Sequence, residues 1–133
     1  MRAYRPAALI IPTIIMIVSC TTMDYQSIPA TEASAMITND SSVVLLDVRT
    51  KEEYDGELGH LRGAILIPVQ ALSSRLSELE SYRGRDILIY CRTGRRSLVA
   101  ADILQKNGYR AINVQGGMVE WNARKLPGVE YRE

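Results

Sequence analysis

The stretch Ile87-Leu88-Ile89-Tyr90-Cys91-Arg92-Thr93-Gly94-Arg95-Arg96-Ser97 decides the fold. Four apolar residues end at a thiol, and three arginines and a glycine follow. A helical pattern then begins, with Leu98, Val99, Ala101 and Leu104 forming an apolar face and Gly108 marking its end. This is a buried strand, a tight turn and a helix N-terminus, with a cysteine at the turn. Backbone N–H groups at such a turn point inward, and the helix end carries partial positive charge. The arginines add full charges. All of these favour thiolate over thiol, so Cys91 is expected to ionise below its ordinary range. A thiolate cradled by donors is a nucleophile facing an anion site.

Other short apolar runs lie on either side of that stretch. Residues 43–46 read as a strand buried on both faces, closed by Asp47-Val48-Arg49. Thr50-Lys51-Glu52-Glu53 fits a capping box opening a short helix that contains Tyr54. Residues 64–67 read as a strand stopped by Pro68, and 111–114 as another. Residues 31–37 read as a helix with Thr31 as its cap. Leu72, Leu76 and Leu79 recur at helical spacing. Gly116-Gly117 turns into a last short helix over 118–124, with Trp121 expected to pack on the core. Strands and helices alternate, which predicts a three-layer α/β domain, a central parallel sheet flanked by helices. In such sheets ligands bind beyond the carboxyl ends of the strands. Cys91, Asp47 and Arg49 lie at that end.

The 133-residue chain is long enough for one domain, but its beginning has another character. Arg2 and Arg5 precede an apolar run over residues 7–18, interrupted only by Pro12 and Thr13. That run is shorter than the roughly 20 residues a bilayer span needs, and it suits a signal-peptide core. It ends in Val18-Ser19-Cys20, which resembles the lipobox of bacterial lipoproteins. The resemblance implies removal of residues 1–19 and attachment of acyl chains such as palmitate to Cys20. Residues 20–30 then form the lipidated cysteine and a linker, and 31–133 the domain. Two or more acyl chains hold a protein firmly to a membrane. The expected place is the cell envelope, on the periplasmic or extracytoplasmic side. Thr21 is not the aspartate linked with inner-membrane retention, so the outer membrane is favoured if the source has two.

Removing residues 1–19 takes away two arginines and no acid, leaving fourteen basic and fifteen acidic residues and a net charge of about −1. That balance does not point to nucleic acid. With Cys20 lipidated, Cys91 is the only remaining thiol. It has no intrachain disulfide partner, in a compartment that oxidises spare cysteines. A thiol there is expected to be chemical rather than structural. One cysteine and one histidine, about 30 residues apart, make no metal-ligand set. There is no Walker or dinucleotide glycine motif, so no cofactor is expected.

Several spaced motifs now agree in order: Asp47-Val48-Arg49, Glu53-Tyr54, Gly59-His60-Leu61, Gly63-Ala64, Ile67-Pro68, the Cys91 loop, Gly108-Tyr109 and Gly116-Gly117-Met118 through Trp121. Together they resemble the rhodanese, or sulfurtransferase, domain over about residues 31–128. Arg62 and Leu66 depart from the usual family string, away from the loop. The resemblance implies a nucleophilic Cys91 that takes sulfane sulfur from a small anionic donor such as thiosulfate and passes it to a thiol or cyanide. It also implies that the loop from Arg92 through Thr93, Gly94, Arg95 and Arg96 to Ser97 binds the substrate and the persulfide. Arg92 and Arg95 are expected to project outward to the donor's sulfonate, and Arg96 to steady the loop, the persulfide or both. Asp47 and Arg49 are expected to support the site, chiefly as a structural ion pair. His60 is expected to be a loop residue satisfied by backbone. The spacing Cys91-x4-Arg96 is one residue shorter than the Cys-x5-Arg ring of related phosphatases, which disfavours phosphatase chemistry. The alternatives are a non-catalytic binding module of the same fold, or a redox sensor that would need a thiol from a partner.

Overall fold

The computed structural model describes residues 26–133, so the signal-peptide and Cys20 expectations lie outside the described residues. Among the described residues, no helix is long and apolar enough to cross a membrane. The chain runs β1 (Gln26–Pro29), α1 (Ala30–Asn39), β2 (Val44–Asp47), α2 (Lys51–Tyr54), β3 (His60–Leu61) and β4 (Ile65–Leu66). It continues with α3 (Val69–Leu72), a 3-10 helix (Leu76–Tyr82), β5 (Asp86–Tyr90), α4 (Arg95–Lys106), β6 (Arg110–Gln115), α5 (Gly117–Ala123) and β7 (Val129–Glu130).

Five strands form one parallel sheet in the order β1-β6-β5-β2-β4, so the strand that delivers Cys91 is central. Successive side chains of a strand face opposite ways, and the sheet divides its core accordingly. Ile87, Ile89 and Cys91 join Val44, Leu46 and Val48 beneath α4, α3 and the 3-10 helix. Leu88 and Tyr90 join Ile112, Val114 and Leu45 beneath α1 and α5. Trp121 is buried in the second layer, and its indole N–H donates to the Pro127 carbonyl at 3.1 Å. This is the three-layer α/β arrangement that the alternating pattern predicts.

Three expectations are corrected. The linker over residues 20–30 does not extend through its last five residues, and the domain starts before residue 31. Gln26–Pro29 is an edge strand in register with Ile112–Gln115. Only Ile28 of β1 is buried, and Pro29 sits at an edge where its missing N–H costs nothing. Such a strand has the composition of a linker. Thr31 is not the cap of α1, since the helix opens one residue earlier behind Pro29 with no side-chain cap. The leucine spacing over 72–79 is not one helix. The Ser74 hydroxyl bonds back to the Ala71 carbonyl at 2.9 Å, Arg75 leaves the helical region at φ −117°, and a 3-10 segment follows.

A two-stranded antiparallel pair, β3 with β7, closes the C-terminus onto the domain. Arg62, at a position where the sequence departs from the family string, pairs with Glu130 there at 2.8 Å.

Candidate active site

Cys91 leaves the end of the central strand and is almost completely buried, at 1% exposure. Its Sγ accepts a hydrogen bond from the Gly94 N–H at 3.1 Å and lies 3.4 Å from the Ser97 hydroxyl oxygen. Burial pushes the thiol's pKa up, but the Ser97 hydroxyl and the N–H groups of Ser97, Gly94 and Thr93 outweigh it. The net result is a thiol held below its ordinary value. Helix α4 has no side-chain cap of its own. A capping oxygen ordinarily accepts from the first free N–H groups of a helix, and here the sulfur takes that place.

Two glycines let the loop close. Gly94 turns at φ +100°, and a Cβ there would sit 3.2 Å from the Gly116 backbone nitrogen. Gly117 lies even closer. Its Cβ would come within 2.3 Å of the Cys91 carbonyl oxygen and 2.6 Å of that of Arg92. That approach allows the N–H groups of Met118 and Val119 to donate to those carbonyls at 2.9 and 3.0 Å. With its carbonyls held by α5, the loop presents N–H groups to the sulfur. The Gly116-Gly117 pair thus supports the cysteine loop, a contact that reading it only as the turn into α5 missed.

The arginines divide into two kinds. Arg92 and Arg95 are exposed. Arg92 lines a cleft of about 240 Å³ with Arg49, Glu52, Gly56, Glu57 and Leu58. Arg96 is directed elsewhere: its two terminal nitrogens grip the two Glu53 oxygens, each at 2.7 Å. The capping box on α2 forms as the sequence suggests, with the Thr50 N–H donating to Glu53 at 3.1 Å. Glu53 therefore serves both the cap and Arg96, and only the first role is readable locally.

The Arg96 guanidinium, aided by the Thr50 N–H and opposed by partial burial, holds the Glu53 carboxyl at about 2 rather than 4.5. A carboxyl depressed on folding stabilises above its unfolded pKa, and that stabilisation is lost as pH falls through the folded value. The unfolding free energies of the parent and Glu53→Gln are therefore expected to differ by a constant amount above about pH 5. The gap closes between 4.5 and about 2. Urea titrations across that range measure it.

Asp47 and Arg49 form the buried ion pair expected of them, at 0% and 1% exposure. The Arg49 Nε and Nη2 donate to Asp47 at 3.0 and 2.7 Å, and Nη2 also donates to the Gly59 carbonyl at 2.7 Å. The guanidinium lies 5.7 Å from the centre of the Tyr90 ring. This network ties β2 and the Gly59 turn to the strand that carries Cys91. His60 stands apart from the sulfur's partners. Its ring stacks on Tyr54 with centroids 3.6 Å apart, and its Nδ1 lies 3.0 Å from the Tyr54 carbonyl oxygen.

The family model for the rhodanese-like domain matches residues 29–124. The chain belongs to the rhodanese-like family. It is 35% identical over 95 residues to a sulfurtransferase of Allochromatium vinosum, covering 71% of this chain and 85% of that protein. It is 32% identical over 83 residues to the thiosulfate sulfurtransferase PspE of Escherichia coli, covering 62% and 78%. The crystal structure of a rhodanese-like domain protein from Staphylococcus aureus superposes with a TM-score of 0.69 at 30% identity, covering 81% of this chain and 99% of that one. Other relatives are longer, and the chain spans less than half of them. A cysteine held below its ordinary pKa by surrounding hydrogen-bond donors is of the kind that covalent group transfer requires.

Proposed function

We propose that this rhodanese-like protein is a sulfurtransferase in which Cys91 carries the transferred sulfur as a persulfide. One observation carries the reading: Sγ meets the Gly94 N–H at 3.1 Å and the Ser97 hydroxyl at 3.4 Å, in a loop whose amides turn inward. The sulfurtransferase names of the Allochromatium and Escherichia relatives support it.

The reaction has two displacements. The Cys91 thiolate attacks the outer sulfur of thiosulfate, forming a new S–S bond. The S–S bond of thiosulfate breaks, and sulfite leaves with the electron pair. The product, Cys91-S-S⁻, is an anion, and the N–H groups that favoured the thiolate stabilise it. An acceptor thiolate, or cyanide in an assay, then attacks the outer sulfur and regenerates the Cys91 thiolate. No net proton transfer is needed when both nucleophiles start ionised. Arg92 and Arg95 receive the donor's sulfonate, for which a guanidinium fork is suited. Anchorage through Cys20 on the outer side of a cell membrane belongs to the same proposal, on the strength of the basic, apolar and Val18-Ser19-Cys20 zones.

Intact-mass measurement tests the core step. Incubation with thiosulfate is expected to add the mass of one sulfur atom to the parent protein and none to Cys91→Ser. Cyanide then removes the added mass. A parent protein that gains no sulfur overturns the proposal.

A further inference from the structure

We propose that Glu53 is a positioning residue for the Cys91 site: by gripping Arg96 with both carboxylate oxygens, it fixes the first turn of α4, which carries the hydrogen-bond partners of the sulfur. The inference deepens the sulfur-transfer reading and rests on it.

Four observations lead there. Both Arg96–Glu53 contacts are 2.7 Å, a fork-on-fork arrangement that permits one orientation of the guanidinium. Arg96 directly precedes Ser97, whose hydroxyl lies 3.4 Å from Sγ, and stands two residues from Gly94, whose N–H donates to it. Holding Arg96 therefore holds the backbone that carries the sulfur's partners. Helix α2 is a single turn of four residues with no buried side chain. It contributes little as a core element, but it is placed where a brace on α4 must be. Finally, the capping box needs only Thr50 and Glu53. Nothing about capping calls for a partner 43 residues away.

The charges around this pair come from several elements. Glu53 is the main influence on Arg96 and favours the charged guanidinium; partial burial opposes it, and the Cys91 thiolate and Asp47 add smaller favourable contributions. The Glu53 charge also acts on Arg49, just beyond the end of β2. Glu52, Glu57 and Glu53 itself line one cleft with Arg92 from the loop. Arg96 is thus the cation fixed by a partner, while Arg92 and Arg95 stay exposed for the incoming anion.

Titration of the Cys91 thiolate tests the proposal. It is followed by ultraviolet absorbance of the full chain as a difference from Cys91→Ser. Glutamine at the third helical position can still serve a capping box, so Glu53→Gln removes the ionic grip while sparing the cap. Its thiol midpoint is expected to rise by about half a unit or more, with sulfur loading from thiosulfate slowed several-fold below that midpoint. Thr50→Ala breaks the cap instead; it lowers stability and leaves the midpoint in place. In an Arg96→Gln background, adding Glu53→Gln shifts the midpoint no further.

A Glu53→Gln midpoint equal to or below the parent's overturns the inference, as does a Thr50→Ala shift of equal size. The titration needs no sulfur donor. A midpoint that moves as expected in a chain that gains no sulfur would remove the sulfur-transfer reading and leave the positioning role standing.

Discussion

Cys91→Ser is expected to form thiocyanate from thiosulfate and cyanide at no more than about a thousandth of the parent rate. Serine nearly matches the size of cysteine, and its hydroxyl can still accept from the Gly94 N–H that now meets Sγ at 3.1 Å. The loop therefore keeps its shape. What disappears is the atom that ionises below the ordinary thiol range and bonds a second sulfur. An alcohol oxygen ionises far too weakly for this chemistry, and among the described residues the hydrogen-bond partners of Sγ are the Gly94 N–H and the Ser97 hydroxyl, neither of them a base. The ring of Cys91 partners consists of Gly94, Thr93 and Ser97, which donate hydrogen bonds and hold the negative charge. Such a ring steadies an anion already present and does little to create one from an alcohol. The urea midpoint of the variant is expected to stay near the parent's, so that a steady-state assay reads chemistry and not unfolding. Turnover within tenfold of the parent would place the transferred sulfur elsewhere.

The features legible in the sequence are those whose causes are local. The runs around Leu45 and Ile89 are apolar on both sides because both faces of the sheet are covered, and their burial follows that pattern. The Thr50–Glu53 cap spans four residues and forms. The turn from Tyr90 to Ser97 is one continuous segment, so its strand, loop and helix start could be read together. Features that depend on distant partners were not legible. Gln26–Pro29 is a strand because β6 offers it an edge, not because its own residues demand one. Gly117 approaches the Cys91 carbonyl across 26 positions of chain, and no spacing rule connects them. Glu53 and Arg96 each had a sufficient local explanation, as cap and as helix-start charge. Their pairing was hidden because nothing was left to explain. The ion pair of Asp47 and Arg49 lies between these cases. Two residues of opposite charge, two apart, hint at contact, whereas the bond to Gly59 depends on a turn ten residues on.

That ion pair carries the second large effect. Arg49→Ala is expected to lower stability by about 3–5 kcal/mol, visible as a fall in Tm of roughly 15 °C or more for a domain of this size. The loss comes less from the attraction removed than from the group left behind. Asp47 is 0% exposed. Without the guanidinium its carboxylate keeps the Arg49 backbone N–H, at 3.0 Å, and loses its charged donor. Water cannot replace that donor without opening the sheet end beside Tyr90. The Gly59 carbonyl loses its donor as well. Arg49→Lys is expected to recover only part of the stability, because an ammonium cannot reach both carboxylate oxygens and the Gly59 carbonyl in one plane. A double variant, Asp47→Leu with Arg49→Met, is expected to regain most of what Arg49→Ala loses, since two apolar side chains remove the unpaired charge and its desolvation together. The sulfur site responds differently. Neither Asp47 nor Arg49 donates to Sγ, so the folded fraction of the double variant still accepts sulfur on Cys91. If it folds stably but cannot be loaded, the pair acts on the cysteine loop directly, beyond holding up the strand that delivers it.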